Sequence, residues 1–255
     1  MHSGELKAFL DEKAAHYQCA EFLETDPIQI PHGFSRKEDI EIAGFLTAAI
    51  AWGNRKSILA SAARMMELMD RAPYAFVTQA GPKDLERLQP FVHRTFQGPD
   101  LQTFILGLRH LYAQHGGLEG CFNRYAKLGG LQSAISQVRT HFLEIPHQER
   151  SRKHFADPGR GSAAKRINMF LRWMVRPAAR GVDFGLWKAI RPSQLSCPLD
   201  VHSGKVARAL GLLERKQNDA RAVLELDQSL RSLDPIDPVK YDFALFGLGV
   251  FEGFH

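Results

Sequence analysis

Cysteine is scarce: three occur among 255 residues, Cys19, Cys121 and Cys197. An odd and widely spaced set supplies neither a disulfide framework nor a four-thiolate metal cluster. It points to a reducing cytoplasm. No apolar run reaches the roughly 18 residues a membrane-spanning helix needs, so no membrane segment is expected. The opening stretch MHSGELKAFLDEK has no long apolar core and carries acids, which argues against a secretory signal there. Neither HExxH nor CxxC appears among the eleven histidines and three cysteines, so the sequence indicates no dedicated metal site and no cofactor. Internal repeats, low-complexity tracts and convincing apolar–polar alternation are missing too. The last of these leaves little room for strands.

What remains is helical periodicity nearly throughout, and the expected fold class is all-α. Leu6, Phe9, Leu10 and Tyr17 share one stripe over 6–20. Ile58, Ala62, Met65, Met66 and Met69 share another over 57–70, and core packing explains that methionine stripe better than a binding surface does. DIEIAGFLTAAIAW, residues 39–52, is apolar almost all round and reads as a central buried helix. Further helices are expected near 101–115, 131–144, 162–176, 200–212, 219–231 and 238–248. Gly53 closes one helix and Asn54 can cap the next, while the glycines of HGGLEG and LGG punctuate 115–130. IPHQERSRKHFADPGRG, residues 145–161, reads as a long loop feeding a helix.

The net charge is +5, which permits nucleic-acid binding without requiring it. Its distribution says more. Residues 146–180 gather Arg150, Arg152, Lys153, Arg160, Lys165, Arg166, Arg172, Arg176 and Arg180 against Glu149 and Asp157. This is either a phosphate-facing patch or a solvated basic surface.

Two residues stand out for chemistry. Ser162 suits an N-cap, which would put Lys165 at the third helical position. The stripe Ile167, Phe170, Leu171 and Met174 would be buried, with Lys165, Met169, Arg172 and Arg176 on the opposite side. A lysine in a first turn opposes the helix dipole by roughly 0.3–1 kcal/mol. That field and the nearby arginines disfavour the ammonium, although partial burial would have to complete the effect. Lys165 is then either a nucleophilic amine or an ordinary phosphate-binding or solvated lysine. Asp200, in PLDVHSGKVAR, precedes the apolar stripe Val201, Val206, Ala209, Leu210 and Leu213. It can cap that helix. An ionised, partly buried carboxylate there can also stabilise a developing cation, and the two roles are compatible. Trp52, Trp173 and Trp187 read as core packing or as a base-stacking surface.

A lysine opening one helix, followed by PLDVHSGKVAR, resembles the helix-hairpin-helix DNA glycosylases. Lys165 matches the nucleophilic lysine of their bifunctional members, and Asp200 matches the essential aspartate of their V/L-D-x-H stretch. DPGRG loosely resembles the L-P-G-x-G hairpin turn. DPVKYDFALFGLG resembles the final helix of the archaeal 8-oxoguanine glycosylases, where an aspartate and an aromatic four places on hold the flipped base. Asp242 and Phe246 match, with Phe in place of the usual Trp. Asn54 matches a polar residue that enters the space left by the extruded base; a cap for the helix from 55 explains it more simply, and the two roles are compatible. The chain is also similar to a widespread bacterial family of unknown function related to these enzymes. It departs from the pattern in two extra residues between Gly161 and Lys165, in Arg166 after the lysine, and in lacking the cysteines of the iron–sulfur relatives.

The resemblance implies two helical subdomains with a cleft between them. Residues 35–176 would form one; 1–34 and 177–255 would form the other. It also implies a DNA repair glycosylase excising an oxidised purine, 8-oxoguanine-like, with an associated strand-cleaving lyase activity. DNA would be the partner. Lys165 and Asp200 would be catalytic, and Asp242, Phe246 and Asn54 would recognise the base. Arg152, Lys153, Arg160, Arg172 and Lys205 would contact phosphates. The alternatives are a non-catalytic helix-hairpin-helix protein that binds nucleic acid, and a helical enzyme that applies the Lys–Asp pair to another substrate.

Overall fold

The structure is a computed structural model, and it describes residues 3–254. The chain is mostly helical. It begins with α1 (Ser3–Tyr17), α2 (Glu21–Thr25), α3 (Gln29–His32), α4 (Lys37–Ala49), α5 (Arg55–Leu68), α6 (Pro73–Gln79) and α7 (Pro82–Glu86). A two-residue antiparallel ribbon, β1 (Val92–His93) against β2 (Phe96–Gln97), leads into α8 (Gly98–Gln114) and α9 (Gly117–Phe142). The chain ends with α10 (Lys165–Val175), α11 (Val201–Ala209), α12 (Ala220–Leu233) and α13 (Tyr241–Phe251). Among the described residues no helix is long and apolar enough to cross a membrane.

Two compact units form, Leu23–Ala156 and a second that joins the N-terminal residues through Phe22 to Asp157–His255. In the Leu23–Ala156 unit, α4 is buried on every side from Ile40 to Ala49, as a sequence apolar almost all round predicts. The cost of burying Glu41 is met by the Tyr112 hydroxyl, which donates to it at 2.6 Å. Around α4 gathers an aromatic core. The Phe45 ring lies 5.9 Å from Phe104, 5.7 Å from Phe142 and 5.5 Å from Phe155. Helix α9 breaks at Gly129 and Gly130, the latter with φ of 76°, and its second arm folds back on the first. The return is tight: a Cβ on Gly107 of α8 would stand 2.7 Å from the Phe142 carbonyl oxygen. The sequence reading expects the second arm, near 131–144, but takes 115–130 as punctuated by glycines and misses the helical first arm; the paired glycines mark only the break.

The other unit packs α1, α11, α12 and α13 around Leu10, Val206, Leu226, Leu230, Tyr241 and Leu245. Helices α1 and α13 meet at Gly247, where a Cβ would fall 2.1 Å from the Tyr17 ring, so only glycine fits that crossing. Helix α10 belongs to this unit, whereas the sequence reading divides the chain at 34 and 176. The reason is electrostatic as well as apolar. Arg172 and Arg176 on α10 pair with Asp183, Asp237 and Asp242, all of them downstream.

That pairing also corrects the expected faces of α10. Every residue from Ile167 to Val175 is buried, so the helix has no exposed cationic side. Its start differs too. Ala164 adopts a left-handed conformation with φ of 45° and ends the preceding turn. The Ser162 hydroxyl accepts the Ala164 N–H at 3.1 Å and caps no helical residue. Lys165 is therefore the first residue of α10 and not the third. The expected loop at 145–161 contains two short 3-10 turns, Glu149–His154 and Pro158–Arg160.

Candidate functional site

The segment leading into α11 is anchored from beneath. The Cys197 N–H donates to Asp227 Oδ1 at 2.9 Å. Burial pushes the Asp227 carboxyl up to about 6, against the lowering effect of the Ser196 side chain and the Cys197 N–H. A carboxyl raised in the folded state binds its proton more tightly there than in the unfolded chain, so it subtracts stability as pH rises from about 4 through about 6. At ~1.4 kcal/mol per pH unit the loss approaches roughly 3 kcal/mol. Asp227→Asn should remove this portion of the pH dependence, which urea titrations at pH 4 and pH 7 would measure. An unchanged difference between the two pH values would contradict it.

On that anchor Asp200 divides its oxygens between two tasks. Oδ1 accepts from the His202 N–H at 2.9 Å and the Ser203 N–H at 3.0 Å, capping α11. Ser203 Oγ returns the contact by accepting the Asp200 N–H at 2.9 Å. Oδ2 faces Lys165 Nζ at 3.3 Å. The Asp200 side chain is 19% exposed and that of Lys165 31%. Both are thus partly withdrawn from water yet still reachable. Burial pushes the Asp200 carboxyl up, but the Lys165 charge and the Ser203 N–H more than offset it, and the group lies below the ordinary aspartate value. The cap and the lysine partner are thus one residue using different atoms.

Behind this pair lies a buried ionic network. Arg172 donates to Asp242 Oδ2 at 2.5 Å and to Asp183 Oδ1 at 3.2 Å, with its guanidinium 4.3 Å from the centre of the Phe243 ring. Arg176 joins Asp183 at 2.5 Å and Asp237 at 2.8 Å. Asp242 Oδ1 takes a weak contact from the Cys197 thiol at 3.8 Å. Burial raises the Asp242 carboxyl, Arg172 lowers it and the Asp200 charge raises it again; the net direction is upward. Burial likewise raises the Cys197 thiol, with the Asp242 and Asp227 charges adding to it. A thiol held protonated in this way is a packing group and a weak donor.

The remaining predicted residues fall out as follows. Phe246, one turn beyond Asp242, is half-buried, with Phe22 and Phe251 rings each 6.4 Å away. Arg160 and Lys205 are exposed. Arg172, expected at phosphates, is only 4% exposed and its charge is spent on Asp183 and Asp242, so it cannot serve as a surface phosphate contact. In the Leu23–Ala156 unit, Asn54 Oδ1 accepts the Ser57 N–H at 3.3 Å and caps α5. Arg152 and Lys153 are exposed there, Arg152 pairing with Glu149 at 3.0 Å. Trp173 and Trp187 are buried, which leaves them no base to stack on. Sequence reasoning passed over Cys197, Asp183 and Asp237. The spacing of Asp183 from Arg176, seven residues beyond a helix end, carries no periodic signal that could have flagged it.

A helical protein with a partly exposed lysine–aspartate pair at the starts of two helices is the class these features define. The chain belongs to the family described as protein of unknown function DUF2400, whose profile matches residues 26–251. No curated protein and no solved structure matches it.

Proposed function

We propose that the protein is a DNA glycosylase that excises an oxidised purine and uses Lys165 as its nucleophile. The observation that carries this reading is the 3.3 Å approach of Lys165 Nζ to Asp200 Oδ2 by two side chains that are both still reachable from solvent. A duplex hides the glycosidic carbon, so the damaged nucleotide has to be extruded before the pair can act. Asp200 Oδ2 takes the ammonium proton, and the amine lone pair then forms a bond to the anomeric carbon. The carbon–nitrogen bond to the base breaks, its electron pair leaves with the base, and the base takes up the proton that Asp200 had accepted, which returns Asp200 to its carboxylate. Ring opening gives a Schiff base, from which loss of a C2′ proton expels the 3′ phosphate. As the sugar becomes cationic, a fixed carboxylate beside it lowers the barrier.

The base falls to the start of α13. Phe246 offers a half-buried ring for stacking. Asp242 is enclosed and held by Arg172 through Oδ2, so an entering base has to uncover it before a base N–H can replace the Cys197 thiol at Oδ1. Arg160 and Lys205 supply phosphate contacts near the pair, and Arg152 and Lys153 supply them from their own unit. Log affinity for duplex DNA should then fall linearly with log salt by ~0.9 per neutralised phosphate. Arg160→Ala or Lys205→Ala should each flatten that slope by about one contact. An affinity indifferent to salt would point to a partner other than nucleic acid.

The deciding assay uses end-labelled oligonucleotides bearing single lesions, in single- and double-stranded form, scored for free base, for hot-alkali cleavage and for spontaneous cleavage. Release of an oxidised purine supports the proposal. Tight, salt-sensitive binding with no base released from any lesion replaces it with a non-catalytic nucleic-acid-binding protein.

A further inference from the structure

The Leu23–Ala156 unit carries a second constellation, unrelated to the lysine–aspartate pair. Helix α8 presents His110 just before its last turn, and His115 follows as its C-cap. The returning arm of α9 presents His141, and Glu144 lies just beyond it. The glycine break at 129–130 is what brings these two ends together. Glu144 Oε2 lies 2.9 Å from His110 Nε2 and 3.9 Å from His115 Nε2. One ligand atom from each of His110, His115 and Glu144 falls within 4.8 Å of the other two. Around a tetrahedral zinc, donors at about 2.0–2.1 Å from the metal stand roughly 3.3 Å apart, so a cation among these atoms needs the 2.9 Å pair to open and the 3.9 Å pair to close by about half an ångström each.

Three features set this group apart from an ordinary surface ion pair. The His115 ring is tightly enclosed by His110 and His141, with ring centres at 5.2 and 4.4 Å. Its Nδ1 is buried without a hydrogen-bond partner, and its Nε2 is beyond hydrogen-bond range of Glu144. Neither nitrogen of this closely held ring is hydrogen-bonded, which leaves its lone pair uncommitted within the protein. The carboxylate is braced from behind: His141 Nδ1 lies 2.7 Å from Glu144 Oε1, and the Tyr125 hydroxyl lies 2.5 Å from His141 Nε2. With the tyrosine donating to Nε2, His141 carries its proton on Nδ1 and donates it to Glu144. That leaves Oε2 turned to the two imidazoles. Such outer partners orient metal-binding carboxylates and histidines.

We infer that His110, His115 and Glu144 form a binding site for a divalent transition metal, zinc foremost, with His141 as the residue that positions Glu144. Two imidazoles and one carboxylate make a borderline donor set suited to Zn²⁺ or Co²⁺ and poorly suited to Mg²⁺ or Ca²⁺, which prefer all-oxygen shells. Three protein ligands leave a fourth position open to water or to a further donor. Neither His110 nor His115 belongs to a recognised short motif with Glu144, because the ligands meet only after the chain reverses at Gly130.

The test uses the full untagged chain, stripped with a chelator and titrated with Co²⁺ and Zn²⁺. Expected are a single tight equivalent of Co²⁺ with the intense visible bands of low-coordinate cobalt, and their loss when Zn²⁺ displaces it. His115→Ala and Glu144→Gln should each weaken binding by more than the roughly 10–100-fold that loss of an outer partner costs. Glu144 is 44% exposed, so its substitution tests the site without opening the core. His141→Ala should weaken binding within that 10–100-fold range and leave the cobalt bands where they were, since the ligands themselves are unchanged. His32→Ala, outside the cluster, should bind as the parent does. Far-UV circular dichroism checks each variant's fold. No tight equivalent, or one that survives both His115→Ala and Glu144→Gln in folded protein, overturns the site and leaves a hydrogen-bonded histidine cluster.

Discussion

Lys165→Gln is expected to abolish borohydride trapping of a covalent protein–DNA adduct while leaving lesion-DNA affinity within a few-fold of the parent. Glutamine has no amine able to form an imine, so nothing remains for borohydride to reduce. Binding survives because one charge among many phosphate contacts is lost. Asp200→Asn should act differently. It keeps the Oδ1 acceptor, so the cap on the His202 and Ser203 N–H groups persists and stability changes little. It replaces the Oδ2 that faces Lys165 with an amide, which cannot take a proton and carries no charge for a cationic sugar. Base release should slow by about 10²–10³-fold or more, the scale at which a lost electrostatic stabiliser of a transition state is felt. Binding should barely move, because the charge matters most when the sugar becomes cationic. Single-turnover base release and adduct yield on the same oligonucleotide measure both variants. An adduct that persists in Lys165→Gln assigns the nucleophile elsewhere. An Asp200→Asn protein as fast as the parent returns Asp200 to its capping role alone.

Asp200 was legible in the sequence because it sits where a local rule acts strongly, whereas its pairing with Lys165 was expected only from the family resemblance. Asp200 follows Pro198 and Leu199 and opens an amphipathic stretch, and such a position is a helix cap whatever else it does. The buried α4 and the break at Gly129 and Gly130 were legible for the same reason, whereas the helical arm of α9 before that break was not, because the glycines of HGGLEG read as turns. Longer-range facts were not. The charges of α10 were expected in solvent because Lys165, Met169, Arg172 and Arg176 lie opposite an apolar stripe. What buries that face is a set of carboxylates between 7 and 70 residues away in the chain, too irregular in spacing to show as a pattern. The start of α10 was misplaced by two residues because Ser162 looks like a cap. Its backbone pairs with Asp219 and its hydroxyl turns to Ala164, contacts that depend on the folded chain. His110, His115 and Glu144 escaped notice for an equivalent reason. Their separations of five and twenty-nine residues match no ligand spacing until α9 doubles back.

The buried arginine gives the largest expected effect on stability. Arg172→Ala should lower the unfolding free energy by about 3–5 kcal/mol, the range for removing one partner of a buried ion pair. Asp242 would keep its carboxylate in a buried site with only the Cys197 thiol in contact, and the Phe243 face would lose its cation. Asp183 is less exposed to the loss, since Arg176 remains 2.5 Å from its other oxygen. A surface phosphate contact behaves in the opposite way: its removal leaves stability within about 0.5 kcal/mol and flattens the salt dependence of DNA binding. Chemical denaturation of Arg172→Ala separates the two behaviours in one experiment. Adding Asp242→Asn to the same chain should recover part of the loss, because the amide needs no counter-charge. The coupling between the two substitutions then measures the pair itself. A denaturation midpoint for Arg172→Ala that coincides with the parent's would mean that the network carries no stability. The burial of α10 would then rest on its apolar stripe alone.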